Sequence, residues 1–256
     1  MREHGSLSLP EMADVAHLSP YYFARTFRRV TGIPPGEFMT ALRLEQAKRL
    51  LLTTSLGVGE ICFEVGYSSV GSFTSRFTQL VGLSPTRLRR LPERLEAVQE
   101  RVVELSLSGT GPATGRTAAG IRGRIEVPDL GRAPGRPLIF AGLFTSAIPQ
   151  RGPAAGVMLT APGDFTIHRT PDGLYNLMAA AVPLSPDPRS LLLPGEGLLV
   201  GRADHQILAR GGSAPGRAVV PLRPLRMTDP PILTPLAMLL VDRLDRTSPG
   251  PDNRAR

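Results

Sequence analysis

The sequence predicts a multidomain chain, an all-α half followed by an all-β sandwich. Residues 1–107 hold long stretches of apolar residues at helical spacing. Residues 108–256 carry most of the glycine and proline and break into short apolar segments separated by turn residues. Between them SGTGPATGRTAAG, residues 108–120, is small, polar and unpatterned, as a linker is. A chain of 256 residues exceeds one typical domain, so each half has enough length for its own core.

The helical half contains an internal repeat. Ser19, Phe23, Phe27, Gly32 and Pro35 recur as Ser69, Phe73, Phe77, Gly82 and Pro85 at a constant offset of fifty. Just upstream the offset is forty-nine, pairing Met12 and Ala13 with Ile61 and Cys62, so the second copy has one extra residue in its turn. Each copy reads as a helix-turn-helix. In the first, over 9–31, Leu9, Met12, Ala13 and Ala16 form one apolar face and His17-Leu18 turns. Ser19 N-caps the next helix and Pro20 suits its first position. Phe23, Phe27 and Val30 line that helix inwardly, and Gly32 stops it. Tyr21, Tyr22, Arg25, Thr26, Arg28 and Arg29 are left on or near the outward face. In the second copy, over 58–81, Val58, Ile61, Cys62 and Val65 form the first helix and Gly66-Tyr67-Ser68 turns. Ser69 caps a helix with Phe73, Phe77 and Leu80 inside and Ser72, Ser75, Arg76 and Gln79 outside. Small Ala13 and Cys62 let the helix axes approach closely.

Residues 35–53 read as one connecting helix whose Phe38, Leu42, Gln46 and Leu50 follow fours. Nineteen residues at about 1.5 Å each span about 28 Å, close to the separation of about 34 Å between successive major-groove faces on one side of B-DNA.

At these residues the chain resembles the DNA-binding domain of the AraC/XylS family of bacterial transcription regulators, a homeodomain-like double helix-turn-helix. The second unit carries the pattern most specifically, from Ile61-Cys62 through Val65-Gly66-Tyr67 and Phe73 to Phe77, then Gly82-Leu-Ser-Pro85 and Arg87 to Arg90. The resemblance covers about residues 7–90 and implies a domain spanning 1–90. It implies promoter DNA as partner, bound by both second helices in the major groove, with RNA polymerase as a further contact. By position, Tyr21 and Arg25, and Val70, Gly71, Ser72 and Ser75, occupy places where family members reach base edges. Ser19, Tyr22, Arg28, Arg29, Ser69, Arg76 and Gln79 complete the expected DNA-binding set.

Three departures from the family pattern stand out. The second copy reads Phe73-Thr-Ser-Arg76, which moves its arginine one position, about 100° around the helix relative to Arg25, and directs Arg76 to phosphate. Only six residues precede Leu7, where the family has a longer helix, so either the start lies upstream or the first unit lacks a buttress. The usual order of sensing and DNA-binding domains is reversed.

After the repeats, Leu91, Leu95, Val98, Val102 and Leu105 recur at four and three on a connecting helix over 91–107. This seam of about two heptads pairs two protomers as a homodimer or packs against its own chain. In the β half the apolar segments are 121–127, 138–145, 156–160, 165–168, 174–182, 198–201, 206–209 and 218–222. Their spacing predicts an antiparallel sandwich over 121–245, followed by a disordered tail at 246–256. The run from Phe165-Thr-Ile167 to Pro171-Asp-Gly173-Leu-Tyr175-Asn-Leu177 is similar to the hairpin of transthyretin-like (carboxypeptidase regulatory) domains. That resemblance implies a glycine at the turn and an inward tyrosine. Such a domain suits sensing of a small-molecule effector, assembly or partner contact.

Composition narrows the function classes. One cysteine, Cys62, excludes a disulfide framework and any CxxC-type metal site, and its place on an inner helix face makes it structural. His4, His17, His168 and His205 share no ligand spacing, and no nucleophile, acid pair or metal set is visible, so neither catalysis nor a cofactor is expected. The N-terminus has no apolar signal region and no run is long enough to span a bilayer, which predicts a cytoplasmic protein. The net charge of +8 suits a polyanionic partner. It lies mostly outside the helical half, where thirteen basic residues face eleven acidic ones, against seventeen and eleven in residues 108–256. The DNA-binding expectation therefore rests on where particular side chains stand. An architectural DNA-binding protein with little sequence preference, or an enzyme with its site in the β half, are the alternatives.

Overall fold

The computed structural model describes residues 8–96, 119–127, 137–183, 191–193, 195 and 197–239. Residues 108–118 of the linker, Val98, Val102 and Leu105, the connecting helix beyond Glu96 and the tail lie outside the described residues, and Gly120, read as the linker's last residue, opens the first strand instead.

The helical half runs α1 (Leu9–Val15), α2 (Pro20–Thr31), α3 (Pro35–Thr53), α4 (Val58–Glu64), α5 (Val70–Val81), α6 (Pro85–Arg89) and α7 (Leu91–Glu96). Local signals fix the ends. Ser8 and Glu11 form a reciprocal capping box on α1, and Ser19, Ser69 and Ser84 cap α2, α5 and α6. Gly32 and Gly82 end α2 and α5 with φ of 78° and 91°, a left-handed conformation that costs glycine nothing.

The row of fours on α3 is not its buried face, and one expected inner residue of α2 needs correction. On α3 the buried residues are Pro35, Phe38, Ala41, Leu44, Ala47, Lys48 and Leu51, whereas Leu42 and Gln46 are exposed. A row of strict fours advances about 400° per step, so it drifts by about 40° each time and winds off the core. Val30 on α2, expected inside, is 61% exposed. The inner row runs in fours from Phe23 and Phe27 to Thr31, which is buried, and Val30 stands about 100° around the helix from it.

The β half forms β1 (Gly120–Glu126), β2 (Pro137–Phe144), β3 (Ala155–Leu159), β4 (Gly163–His168), β5 (Gly173–Pro183), β6 (Leu199–Arg202), β7 (Ile207–Ala209), β8 (Ala218–Pro221) and β9 (Arg223–Pro224). Eight of these match the apolar segments read from sequence, with ends shifted by at most two residues, and the two-residue β9 has no counterpart among them. One sheet has the order β4-β1-β8, and the other β3-β2-β5-β6-β9 with β7 also on β5. Ile121, Ile125, Phe165, Ile167 and Val220 of the first sheet share a buried cluster with Ile139, Leu143, Leu177 and Ala181 of the second, so the two sheets enclose one core.

Pairing departs from the expected all-antiparallel sandwich, because β1 and β8 run parallel. The expected hairpin is also different: β4 pairs with β1 while β5 pairs with β2, so the Phe165-to-Tyr175 segment crosses between sheets. Tyr175 is buried as the pattern implied, and its hydroxyl donates to the Pro171 carbonyl at 3.2 Å. The inward tyrosine thus anchors a crossover corner.

The helical half meets part of the outer face of the larger sheet. Leu138, Phe140, Met158 and Ala180 join the same buried cluster as Leu44, Phe73, Phe77 and Leu91. Three polar ties cross this seam. Lys48, the one lysine of the chain, is 4% exposed and donates to Glu45 Oε2 at 2.7 Å and to the Ile232 carbonyl at 2.6 Å. A buried ammonium is tolerable only when paired in this way. Arg151 N–H donates to the Leu80 carbonyl at 2.7 Å, and its Nε to the Gln79 carbonyl at 2.5 Å, satisfying carbonyls in the last turn of α5. Leu91 and Leu95 are fully buried in this cluster, which is the same-chain alternative for those two positions of the heptad seam.

Candidate nucleic-acid interface

Both turns are built by equivalent bonds. Leu18 N–H donates to the Ala13 carbonyl and Tyr67 N–H to the Cys62 carbonyl, at 2.9 and 3.0 Å. His17 with φ 55° and Gly66 with φ 81° occupy the left-handed position of each turn. Burial pushes the Cys62 thiol above its ordinary pKa, and the side chain is fully enclosed, so the thiol serves helix approach and not reactivity.

The turns set α2 and α5 with their outer faces in solvent. Ser19, Tyr21, Tyr22, Arg25, Arg28 and Arg29 are exposed, as are Ser69, Val70, Gly71, Ser72, Ser75, Arg76 and Gln79. Tyr21 is 78% exposed, unusual for a large aromatic side chain with no structural partner on its own helix. Ser19 and Ser69 spend their hydroxyls on capping: Tyr22 N–H donates to Ser19 Oγ at 3.4 Å and Ser72 N–H to Ser69 Oγ at 3.5 Å. Ser72 Oγ in turn donates to the Ser69 carbonyl at 2.9 Å. Arg76 donates to Gln79 Oε1 at 3.2 Å along the same helix face. Arg25, Arg28 and Arg29 make no ion pair among the described residues, so α2 presents three uncompensated cations.

This arrangement can offer guanidinium and hydroxyl donors, with two tyrosine rings, to a polyanion along two repeated helices. No group of three or more His, Cys, Asp or Glu among the described residues could hold a metal ion. His17, His168 and His205 stand apart on α1's turn, β4 and the loop before β7. No helix among the described residues is long and apolar enough to cross a membrane. Sequence reasoning did not find Arg151 and Lys48, the ties that hold this face against the β half. Lys48 alone left a signal, as a charged residue at a position in register with the inner residues of α3.

Comparison with known proteins bears on this same segment. Residues 12–91 match a family model described as a helix-turn-helix domain. The bifunctional transcriptional activator/DNA repair enzyme AdaA of Bacillus subtilis is 33% identical over 90 residues, which are 35% of this chain and 43% of that protein. The transcriptional activator AarP of Providencia stuartii is 34% identical over 83 residues, 32% of this chain and 62% of that protein. The chain therefore spans less than two thirds of the length of these relatives. Among solved structures, the DNA-binding domain of AdpA in complex with a target DNA is 30% identical, with 38% of this chain and 83% of that one covered and a TM-score of 0.33.

Proposed function

Since residues 12–91 form an AraC-type helix-turn-helix domain, we propose that the chain is a sequence-specific DNA-binding transcription regulator that inserts α2 and α5 into successive major-groove segments of promoter DNA. The observation that carries this reading is the repeat itself: two capped helices fifty residues apart, outer faces exposed, joined by the 19-residue α3. In this reading Tyr21, Arg25, Val70, Gly71, Ser72 and Ser75 meet base edges. Tyr22, Arg28, Arg29, Arg76 and Gln79 hold phosphates, and Ser19 and Ser69 present helix N-termini to the backbone. The protein acts in the bacterial cytoplasm, contacts RNA polymerase at its promoters and uses no catalytic step or cofactor. The β half serves as the sensing or assembly part.

Selection of bound duplexes from a random pool, followed by sequencing, tests the reading. Enrichment of a motif with two half-sites about one helical turn apart is the expected result. Binding without any enriched motif would leave an architectural protein instead.

A further inference from the structure

A cleft of about 870 Å³ lies where the two halves meet, and nothing in the DNA-binding reading uses it. Its floor is the outer face of the larger sheet, in two cross-strand rows: Phe140, Ala180 and Val200, then Gly142, Met178 and Arg202. Alanine and glycine in these rows leave the space open, and methionine adapts to whatever fills it. The walls come from Val30 and Thr31 at the end of α2, and from the segment around Leu236.

The polar groups on these walls are unequal. Arg223 is occupied by Asp229 through two bonds of 2.6 and 2.7 Å. Burial pushes the Asp229 carboxyl up, but bonds from Arg223 and from the Arg226 N–H hold it below the usual carboxylate value, so the pair stays ionised. Asp204 is the other acid, against Arg202 and Arg226. The Arg202 guanidinium makes no hydrogen bond or ion pair among the described residues. Thr234, 1% exposed, also lines the cleft, and its Oγ1 has no hydrogen-bond partner among the described residues.

We propose that this cleft binds an apolar carboxylic acid, with Arg202 receiving the carboxylate, and that occupancy changes DNA affinity. The volume falls within the range of about 300–1,000 Å³ typical of small-molecule sites. The lining suits an apolar body, and the Arg202 guanidinium, free of protein partners among the described residues and on a wall with three arginines against two acids, suits an anionic head. The second half of the proposal rests on the DNA-binding reading and on position. The Arg202 guanidinium stands beside Gly32 at the C-terminal end of α2, so close that a methyl group on Gly32 would lie 3.3 Å from it. Gly152 and Pro153, also on the wall, directly follow Arg151, which ties the end of α5. A ligand here touches the supports of both DNA-facing helices.

The test uses the whole chain and dansylundecanoic acid as probe, with hexadecanoic acid as competitor. Saturable fluorescence enhancement, reversed by the competitor, is expected. Arg202→Gln, at an exposed position, should weaken binding about tenfold, and Ala180→Phe should abolish it by filling the floor. Thermal melting reports whether Ala180→Phe folds; where it does not, Arg202→Gln and the methyl ester of the probe decide. No saturable binding overturns the site, and equal affinity of the methyl ester or of Arg202→Gln overturns the role of the carboxylate. With a selected DNA site in hand, hexadecanoic acid should shift DNA affinity about fivefold or more, and no shift overturns the coupling. Failure to select any DNA would sink the regulator reading while leaving the probe measurements intact.

Discussion

In the second helix-turn-helix unit Phe73 and Phe77 are fully buried, whereas Phe23 and Phe27, fifty residues earlier, keep part of their rings at the surface. The same contrast recurs at Ile61 against Met12 and at Val65 against Ala16, where the second copy has the larger or better-covered side chain. Tyr67 adds an edge contact to Phe73 at 5.3 Å that the first copy lacks. Arg151 then fastens the end of α5 from the β half. The outer faces differ in the opposite sense, with Arg25, Arg28 and Arg29 on α2 but only Arg76 on α5. Duplication of one backbone plan has separated two duties. The second unit concentrates burial and anchoring, and the first concentrates positive charge on a lighter core.

The largest expected effect tests the cores. Phe77→Ala should open a cavity and cost about 3–5 kcal/mol, and Phe73→Ala the same. Phe27→Ala, removing a partly exposed ring, should cost less, about 1–3 kcal/mol. Urea denaturation of each variant measures the difference, and equal losses would break the contrast between a heavy and a light unit.

Next in size come the outer faces. Arg25→Ala should cost about 1–3 kcal/mol on a selected site and relax preference at one base position. Arg76→Ala should weaken all sequences alike and lower the salt slope by about one. Binding isotherms over a salt series separate the two. An unchanged motif with Arg25→Ala would remove that side chain from base readout, and a sequence-selective loss with Arg76→Ala would return its displaced arginine to the groove.

What is legible in the sequence follows from how local each signal is. Serine caps, glycine stops and the Phe–Phe spacing are written within a few residues, so α1, α2, α4 and α5 can be read directly. The face of α3 is easily misread because its core-facing row mixes threes and fours around small Ala41 and Ala47, and a strict row of fours is the simpler pattern to see. Strand positions in the β half are legible from alternation and turn residues, but pairing is not. Whether β4 returns beside β5 or beside β1 depends on contacts distant in sequence, such as Ile121 opposite Ile167. The exposed faces of α2 and α5 can be inferred by subtraction from the inner ones. The seam cannot, since Arg151 is a left-handed loop residue, φ 59°, with no local pattern to mark it.

The smallest effect compares the two turns, which share a left-handed position but not the residue that fills it. Gly66 holds φ 81° without strain, so Gly66→Ala should destabilise by about 1 kcal/mol, because a side-chain carbon disfavours the left-handed region. His17 holds φ 55° at the equivalent place, exposed and with no hydrogen bond from its ring among the described residues. His17→Gly should therefore relieve that strain, but a glycine also gains freedom in the unfolded chain, and the two terms oppose each other. A net change within about 0.5 kcal/mol is expected, read by the same urea series. A loss as large as that of Gly66→Ala would mean that the imidazole holds the first turn, making the lighter unit more dependent on a side chain than its core suggests.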